Sequence, residues 1–194
     1  VYGSSTEDFA YVARRMADFG VDAVELNLSC PHAGGLQHFS QHPALTADVV
    51  RAVKRELKVP VLAKLSQETA SICEIGKAAQ EAGADGIVAI NTIRAMSIDI
   101  NLQQPILSNK VGGLSGHAIK TIAIRCVYEL YDAVDIPIIG VGGVYNWKDA
   151  VEFLLAGASA VQIGTAVALR GPTVFKQVAS GLRRYLEDHS MDDI

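Results

Sequence analysis

A pattern of two alternating segments repeats along the chain and limits what it can fold into. In one segment a helical stretch ends at a glycine and a short apolar strand follows, as around Gly20, Gly83 and Gly157. Glycine suits the left-handed residue that terminates a helix. In the other segment a proline opens an apolar strand, at Pro60 and Pro137, which is a position where a sheet tolerates proline. This strict alternation predicts a parallel sheet covered by helices.

The pattern predicts five strands separated by helices. The strands are expected at about 23–28, 60–65, 86–91, 136–141 and 160–164, in mostly continuous apolar runs that suit strands buried on both faces. Apolar stripes at helical spacing run from Phe9 to Phe19 and from Val49 to Leu57, and further helices are expected at about 69–82, 117–133, 147–156 and 172–187. Ser5 and Thr6 are candidate N-caps of the first helix. The stretch 92–116 is expected to be a long irregular loop.

The number of strands bears on the expected architecture. A closed (β/α)8 barrel, or TIM barrel, needs eight strands and typically ~250 residues. This chain has 194 residues, five strand patterns and a helix at its start. We therefore predict an α/β fold that is a (β/α)8 barrel without its N-terminal strands, with about five βα units in a single domain over residues 1–194. The alternative is a complete open sheet of five strands.

The composition excludes several classes of function. The chain is 49% hydrophobic and 20% charged, with a net charge of −4, and offers no basic patch for nucleic acid or for a membrane surface. It contains no apolar run that could span a bilayer, and its first residues do not resemble a signal peptide. The cysteines Cys30, Cys73 and Cys126 are widely spaced, which argues against a disulfide framework or a zinc site. A reducing cytoplasm and no metal site are expected.

One thiol lies where α/β proteins place their chemistry. Cys30 follows the first strand pattern and is followed by thirteen loop-like residues, 33–45. A long connection of this kind is more often functional than not, and strand ends carry the active sites of α/β enzymes. Cys30 is therefore the first candidate for a catalytic residue. Cys73 and Cys126 fall in helical patterns and are expected to be packing residues.

Glycines after the last two strand patterns predict a phosphate site. These are Gly142-Gly143 and Gly164-Thr165. In barrels the loops after the last two strands often bind phosphate through backbone N–H groups, and glycine lets the backbone approach the anion closely. A tight turn would explain either pair alone, but the two pairs together favour a phosphorylated ligand.

Polar residues at other strand ends predict a site for a flat polar ring. Lys64 ends an apolar strand, so its ammonium group is expected to face an anionic or electron-rich group, although such a lysine can also extend to water. Asn27 and Asn91 lie at the ends of different strands, and Thr92 follows Asn91. Their side chains offer donors and acceptors to a ring that carries carbonyl and N–H groups, although asparagine is also common in turns.

Taken together and in this order, these motifs resemble the dihydroorotate dehydrogenase family over essentially the whole chain. The matching segments are Asn27-Leu28-Ser29-Cys30-Pro31, Lys64-Leu65-Ser66, Ile90-Asn91-Thr92, Gly112-Gly113-Leu114-Ser115-Gly116, Gly142-Gly143 and Gly164-Thr165. Cysteine in the position of the base is similar to the soluble forms of the family. Asn91-Thr92, together with the segment from Gln104 to Leu107, most resembles the NAD-linked form.

The resemblance implies FMN-dependent oxidation of dihydroorotate to orotate in pyrimidine biosynthesis. Cys30 would be the general base that removes the C5 proton, and hydride would pass from C6 to FMN. The substrate would be held by Asn27, Asn91, Thr92 and His32. FMN would contact Asn27, Lys64, Ile90, Gly116, Gly142, Gly143, Gly164 and Thr165. The NAD-linked form works with an iron–sulfur flavoprotein subunit that carries FAD and a [2Fe–2S] cluster, so a partner of this kind is implied, along with a homo-oligomeric cytoplasmic enzyme.

The chain departs from the family pattern in three places. His32 stands where the family has asparagine, as in the related dihydropyrimidine dehydrogenases that act on uracil and thymine, and an activity of that kind is the first alternative. Gln67-Glu68 replaces a Pro-Asn pair. The N-terminal third of the family is absent, so a fragment that binds flavin or phosphate without catalysis is a second alternative. A barrel with another chemistry, such as a phosphosugar isomerase, would leave Cys30 without a role.

Overall fold

A curved parallel sheet with helices packed on its outer side organises the computed structural model, which describes residues 1–29 and 36–192. In chain order the strands are β1 (Val24–Asn27), β2 (Val61–Leu65), β3 (Gly86–Ala89), β4 (Ile93–Ala95), β5 (Ile98–Asp99), β6 (Gln104–Pro105), β7 (Gly112–Leu114), β8 (Ile138–Val141) and β9 (Ala160–Gln162). The parallel sheet has the order β1-β2-β3-β8-β9, while β4 pairs with β7 and β5 with β6 in two antiparallel pairs.

Helices connect the parallel strands and cover the sheet. They are α1 (Thr6–Ala17), α2 (Pro43–Glu56), α3 (Ile72–Glu81), α4 (Lys120–Tyr131), α5 (Trp147–Leu155), α6 (Thr165–Arg170) and α7 (Thr173–His189), with 3-10 turns at Leu36–Gln41 and His117–Ile119. Within the described part of the chain, none of these helices combines the length and the apolar character that crossing a membrane requires.

The alternation of side chains gives the sheet two different faces. In β1, Val24 and Leu26 are buried under the helices, whereas Glu25 and Asn27 point to the opposite side. In β2, the buried residues alternate with Leu62 and Lys64 in the same way. Asn27 is the register partner of Lys64. The polar residues of these strands therefore lie on the face that the helices do not cover.

A hydrogen bond between the two edge strands shows how strongly the sheet curves. In a flat sheet, four spacings of ~4.8 Å would separate β1 from β9 by ~19 Å. Nevertheless Nε2 of Gln162 in β9 donates to Oε2 of Glu25 in β1 at 2.7 Å. The uncovered face is therefore concave, and side chains from both edges meet inside it, as they do in a barrel.

The alternation predicted from the sequence is confirmed, with differences that have physical causes. All five predicted parallel strands are present, and Ser5 rather than Thr6 caps α1 by accepting a hydrogen bond from the backbone N–H of Asp8. The apolar stripe does not continue to Phe19, because α1 ends at Ala17 and leaves this side chain 78% exposed. The sequence did not predict α6 or the short antiparallel strands within the stretch 92–116. The stretch 33–45, expected to be loop-like, holds in its described part a 3-10 turn at Leu36–Gln41 and the start of α2 at Pro43.

The burial of Phe153 between α5 and the sheet can be tested by its contribution to stability. Phe153 in α5 is fully buried, whereas Phe19 is exposed. We expect Phe153→Ala to lower the free energy of unfolding by about 3–5 kcal/mol, because it removes a large buried side chain and leaves a cavity. Phe19→Ala, the matched control, should stay within about 0.5 kcal/mol of the wild type. Urea denaturation measures both, and equal losses would contradict this packing.

Candidate active site

The carboxyl ends of the parallel strands surround a cavity of about 250 Å³ on the concave face. Nine of the residues predicted for the site line it: Lys64, Ile90, Asn91, Thr92, Gly116, Gly142, Gly143, Gly164 and Thr165. Among the described residues that line this cavity, Lys64 is the one with a charged side chain. The fold therefore brings a cation, amide groups and glycines from distant parts of the sequence to one rim.

Lys64 is held from the side of the concave face by two residues that the sequence analysis missed. Its Nζ donates to Oε1 of Glu25 at 2.9 Å and to Oε1 of Gln162 at 3.5 Å. The side chains of Lys64 and Glu25 are only 18% and 29% exposed. The signal for Glu25 was its position two residues before Asn27, which places both side chains on one face of the strand.

Amide groups form a network beside Lys64. Nδ2 of Asn91 donates to Oδ1 of Asn27 at 2.6 Å and to Oγ of Ser29 at 2.8 Å. Oδ1 of Asn91 accepts a hydrogen bond from the backbone N–H of Thr92 at 2.9 Å. These bonds fix the orientation of Asn91, which is buried. Asn27 takes part in this network through its Oδ1, which also accepts from the backbone N–H of Ser29 at 3.4 Å.

Cys30 and His32, which the sequence analysis predicts as the base and as a substrate contact, lie outside the described residues. The preceding residue, Ser29, is described, and its hydroxyl accepts a hydrogen bond from Asn91 at the cavity. The roles of Cys30 and His32 stay predictions.

The two glycines after β8 shape the other end of the cavity. Gly142 and Gly143 have φ values of 126° and 86°, which disfavour any residue with a side chain. A Cβ atom on Gly143 would also lie 2.7 Å from Cβ of Lys120 and 2.9 Å from the carbonyl oxygen of Gly116. A smaller cavity of about 100 Å³ adjoins this point and is also lined by Gly164 and Thr165. Gly143 therefore allows close packing against Lys120 and Gly116, whereas a Cβ atom on Gly164 would meet nothing within 4 Å, so the backbone is open at that residue.

The antiparallel pair of β4 and β7 packs closely against Thr92. Gly113 in β7 is the register partner of Arg94 in β4, and a Cβ atom on Gly113 would overlap Oγ1 of Thr92. The stretch that the sequence analysis expected to be irregular is therefore a paired structure that rests on a residue of the cavity.

Comparisons with known proteins agree with this arrangement. The sequence model of the dihydroorotate dehydrogenase family matches residues 1–186. The chain belongs to the dihydroorotate dehydrogenase family. It is 51% identical to the protein of Pyrococcus abyssi named dihydroorotate dehydrogenase B (NAD(+)), catalytic subunit, and 53% identical to the protein of that name from Pyrococcus furiosus. The match covers all of this chain and 65% of each relative, so the chain spans less than two thirds of their length.

A solved dihydroorotate dehydrogenase has the same fold. The crystal structure of the Eimeria tenella enzyme in complex with ferulenol matches with a TM-score of 0.81 at 25% sequence identity, over 95% of this chain and 55% of that chain. Together with the curvature of the five-stranded sheet, this likeness confirms the predicted α/β fold as part of a (β/α)8 barrel.

The residues of the cavity fit the FMN that a dihydroorotate dehydrogenase implies. A phosphate needs backbone N–H groups that side chains do not cover, and Gly164 leaves such a space at the narrow end, because a Cβ atom there would meet nothing within 4 Å. A flavin ring carries carbonyl and N–H groups that Lys64 and the amide network can meet in the wider part. The donor set is therefore that of a site for a flat ring with a phosphate tail.

A larger hollow elsewhere on the molecule lacks these features. It measures about 620 Å³ and lies against α1, where Val12 and Met16 contribute to an apolar lining. Its charged residue, Asp8, already accepts hydrogen bonds from Ser4. No group of His, Cys, Asp or Glu residues within the described ranges could hold a metal ion.

The two described cysteines are packing residues rather than nucleophiles. Cys126 in α4 is fully buried, and burial raises the pKa of its thiol to about 11. Burial also raises the pKa of Cys73 in α3. A thiol with a raised pKa is a weak nucleophile at neutral pH because little of it is thiolate.

An ion pair holds the glycine loop after β8 in place. Oδ1 of Asp149 accepts a hydrogen bond from Nζ of Lys120 at 2.9 Å, and Oδ2 accepts from the backbone N–H groups of Tyr145 and Asn146 at 3.0 Å and 2.9 Å. Burial alone would raise the pKa of the Asp149 carboxyl, but these hydrogen bonds outweigh it and hold the pKa below its usual range. Glu152 is a second and more exposed partner of Lys120.

We expect Asp149→Asn to lower the free energy of unfolding at pH 7 by about 2 kcal/mol, because it removes a buried charged acceptor. The loss should depend on pH in a defined direction. Since folding lowers the pKa of Asp149, its contribution is fully present above the unfolded value of ~3.9 and disappears as the pH falls through the folded value. Urea denaturation from pH 7 to pH 3 measures this.

Glu152→Gln is the matched control, because Glu152 also binds Lys120 but has a side chain that is 48% exposed, against 3% for Asp149. Its cost should stay below about 1 kcal/mol. A difference between Asp149→Asn and the wild type that does not shrink in acid would contradict the role assigned to this carboxylate.

Proposed function

We propose that the full-length protein, as one FMN-binding domain, oxidises dihydroorotate to orotate in pyrimidine biosynthesis. The observation that carries the proposal is the arrangement of Lys64, Asn91 and the glycines that follow β8 around one cavity, with Asn27 hydrogen-bonded to Asn91. Further support comes from membership of the dihydroorotate dehydrogenase family.

The residues at the rim divide the binding of cofactor and substrate between them. Gly142, Gly143, Gly164 and Thr165 would hold the phosphate of FMN through their backbone. Lys64, Ile90, Asn27 and Gly116 would hold the flavin ring. When bound, FMN supplies the acceptor for the hydride that leaves C6 of the substrate. Lys64 favours the negative charge that develops in the cavity.

Asn27, Asn91, Thr92 and His32 hold the substrate, and Cys30 moves its proton. C5 of dihydroorotate lies beside a ring carbonyl, which makes its protons acidic. Hydrogen bonds from amide groups to that carbonyl stabilise the charge as the proton leaves. The Cys30 thiolate removes this proton, provided that its environment lowers a pKa that is about 8.5 in a free thiol.

Electrons leave through a second subunit in this proposal. The Pyrococcus relatives are named catalytic subunits of an NAD(+)-linked enzyme. We accordingly propose a cytoplasmic homo-oligomer that works with an iron–sulfur flavoprotein subunit carrying FAD and a [2Fe–2S] cluster, and that uses neither nucleic acid nor a membrane as a partner.

One observation favours a second candidate activity. His32 follows Cys30-Pro31 where the family has asparagine, and this change is shared with dihydropyrimidine dehydrogenases. Histidine offers ring nitrogens in place of an amide, so it alters what the substrate-binding loop can recognise. Oxidation or reduction of an uncharged pyrimidine such as dihydrouracil or uracil is the alternative.

The base is tested with Cys30→Ala in the full-length protein. We expect the variant to retain FMN but to lose ~10²–10⁴-fold in the rate of flavin bleaching by dihydroorotate, the usual cost of removing a general base. Stopped-flow absorbance measures this rate. Cys73→Ala, which removes a thiol outside the site, is the control and should bleach at the wild-type rate. An unchanged rate in Cys30→Ala would rule out the base.

A substrate panel separates the two activities. We expect dihydroorotate to bleach the flavin at least tenfold faster than dihydrouracil, because the amide donors can hydrogen-bond the carboxylate that dihydrouracil lacks. His32→Asn should increase this preference. A wild-type protein that prefers dihydrouracil would support the alternative, and a purified full-length protein without flavin absorbance would support a non-catalytic role.

A further inference from the structure

Both oxygens of the Glu25 carboxylate are engaged beneath the cavity. Oε1 accepts a hydrogen bond from Lys64 at 2.9 Å, and Oε2 accepts one from Gln162 at 2.7 Å. Gln162 in turn accepts from Lys64 through its own Oε1 at 3.5 Å. The three side chains form a closed ring of hydrogen bonds, so the carboxylate has a fixed position and holds the lysine from behind.

The ion pair is oriented with respect to the cavity. Lys64 lines the cavity, whereas Glu25 and Gln162 do not belong to its lining. Glu25 lies two residues before Asn27 on the same face of β1, one layer deeper in the concave side of the sheet. The positive end of the pair therefore faces the ligand, and the negative end lies behind it.

We propose that Glu25 is a positioning residue that acts through Lys64 and limits how much Lys64 stabilises the reduced flavin relative to the oxidised form. This inference rests on the proposed function. An unpaired lysine beside a flavin stabilises the added negative charge of the reduced form and raises the reduction potential. A carboxylate 2.9 Å from the same ammonium group restrains it and cancels much of its field in the cavity, since opposite charges at short distance act together as a dipole.

This arrangement suits an enzyme that must pass its electrons on. Lys64 still favours charge that develops next to it during flavin reduction. The opposing charge of Glu25 lowers the potential of the flavin, so that reoxidation by an NAD-linked partner costs less. In this view Glu25 touches neither substrate nor cofactor and sets the driving force of the reoxidation step.

The first measurement is made on the wild-type full-length protein. It should contain FMN, and dihydroorotate should reduce that FMN. Failure of this measurement would overturn the proposed function and this inference with it. If it succeeds, the variants below test Glu25 alone.

Glu25→Gln removes the charge and keeps the shape of the side chain. We expect the equilibrium between oxidised and reduced FMN to shift about tenfold toward the reduced form, which is a rise of about 30 mV in a two-electron midpoint potential. Spectroelectrochemical titration measures the potential. Glu129→Gln is the matched control, because it makes the same change of charge in an exposed ion pair with Arg125 on α4, and it should shift the equilibrium less than twofold. An unchanged or lowered potential in Glu25→Gln would overturn the proposal.

A double variant separates positioning from a direct effect of the charge. In a Lys64→Gln background, Glu25→Gln should shift the flavin equilibrium less than threefold, because the residue through which Glu25 acts has been removed. The same tenfold shift in that background would show that Glu25 acts on the flavin independently, and would overturn the positioning role.

A conservative variant keeps the test decisive if Glu25→Gln does not fold with FMN. Glu25→Asp preserves the charge but draws the carboxylate back from Lys64 by one methylene. We expect a rise in potential of the same sign and smaller size. A purely structural tie between β1 and β9 would instead lower thermal stability in Glu25→Asp without moving the potential, and that result would refute the proposal.

Discussion

The hydrogen-bonded ring of Glu25, Lys64 and Gln162 joins the two edge strands of the sheet across its concave face. Burying a charge is costly unless it is paired and hydrogen-bonded, and each member of this ring satisfies another. The ring can form only in a strongly curved sheet. That same curvature turns the carboxyl ends of all five parallel strands toward one rim, where the cavity lies. The position of the cation and the shape of the site are therefore consequences of one geometric condition.

The rim offers backbone groups at one end of the site and side-chain groups at the other. At one end, Gly143 and Gly164 line the smaller cavity, and the open space beside Gly164 suits an anion that needs backbone N–H donors. At the other end, Asn27 and Asn91 present side-chain amides whose orientation is fixed by their mutual hydrogen bond, which suits a ring with defined donors and acceptors. The ion pair of Asp149 with Lys120 keeps the backbone end in position from outside the cavity. Binding, in this arrangement, depends on supports that the ligand never contacts.

The fold and the position of nine predicted residues at one cavity could be anticipated from the sequence, whereas the residues that support Lys64 could not. The parallel strands are recognisable in the sequence as continuous apolar runs that begin or end near glycines and prolines such as Gly83 and Pro60. Lys64 and Asn91 stand out because they end such runs. Glu25 and Gln162 do not, since their significance depends on the closure of β1 toward β9, which is a long-range property of the sheet. Strands of two or three residues, such as β5 and β7, and a helix as short as α6 carry too little periodicity to be recognised.

The contact between Gly113 and Thr92 links the antiparallel pair of β4 and β7 to the interior of the cavity. Any residue larger than glycine at position 113 must displace either the threonine or the strand that carries it. The shape of the cavity is therefore constrained at position 113, although Gly113 is not among the residues that line it. Substitution of Gly113 would change the shape of the cavity from outside, by moving Thr92.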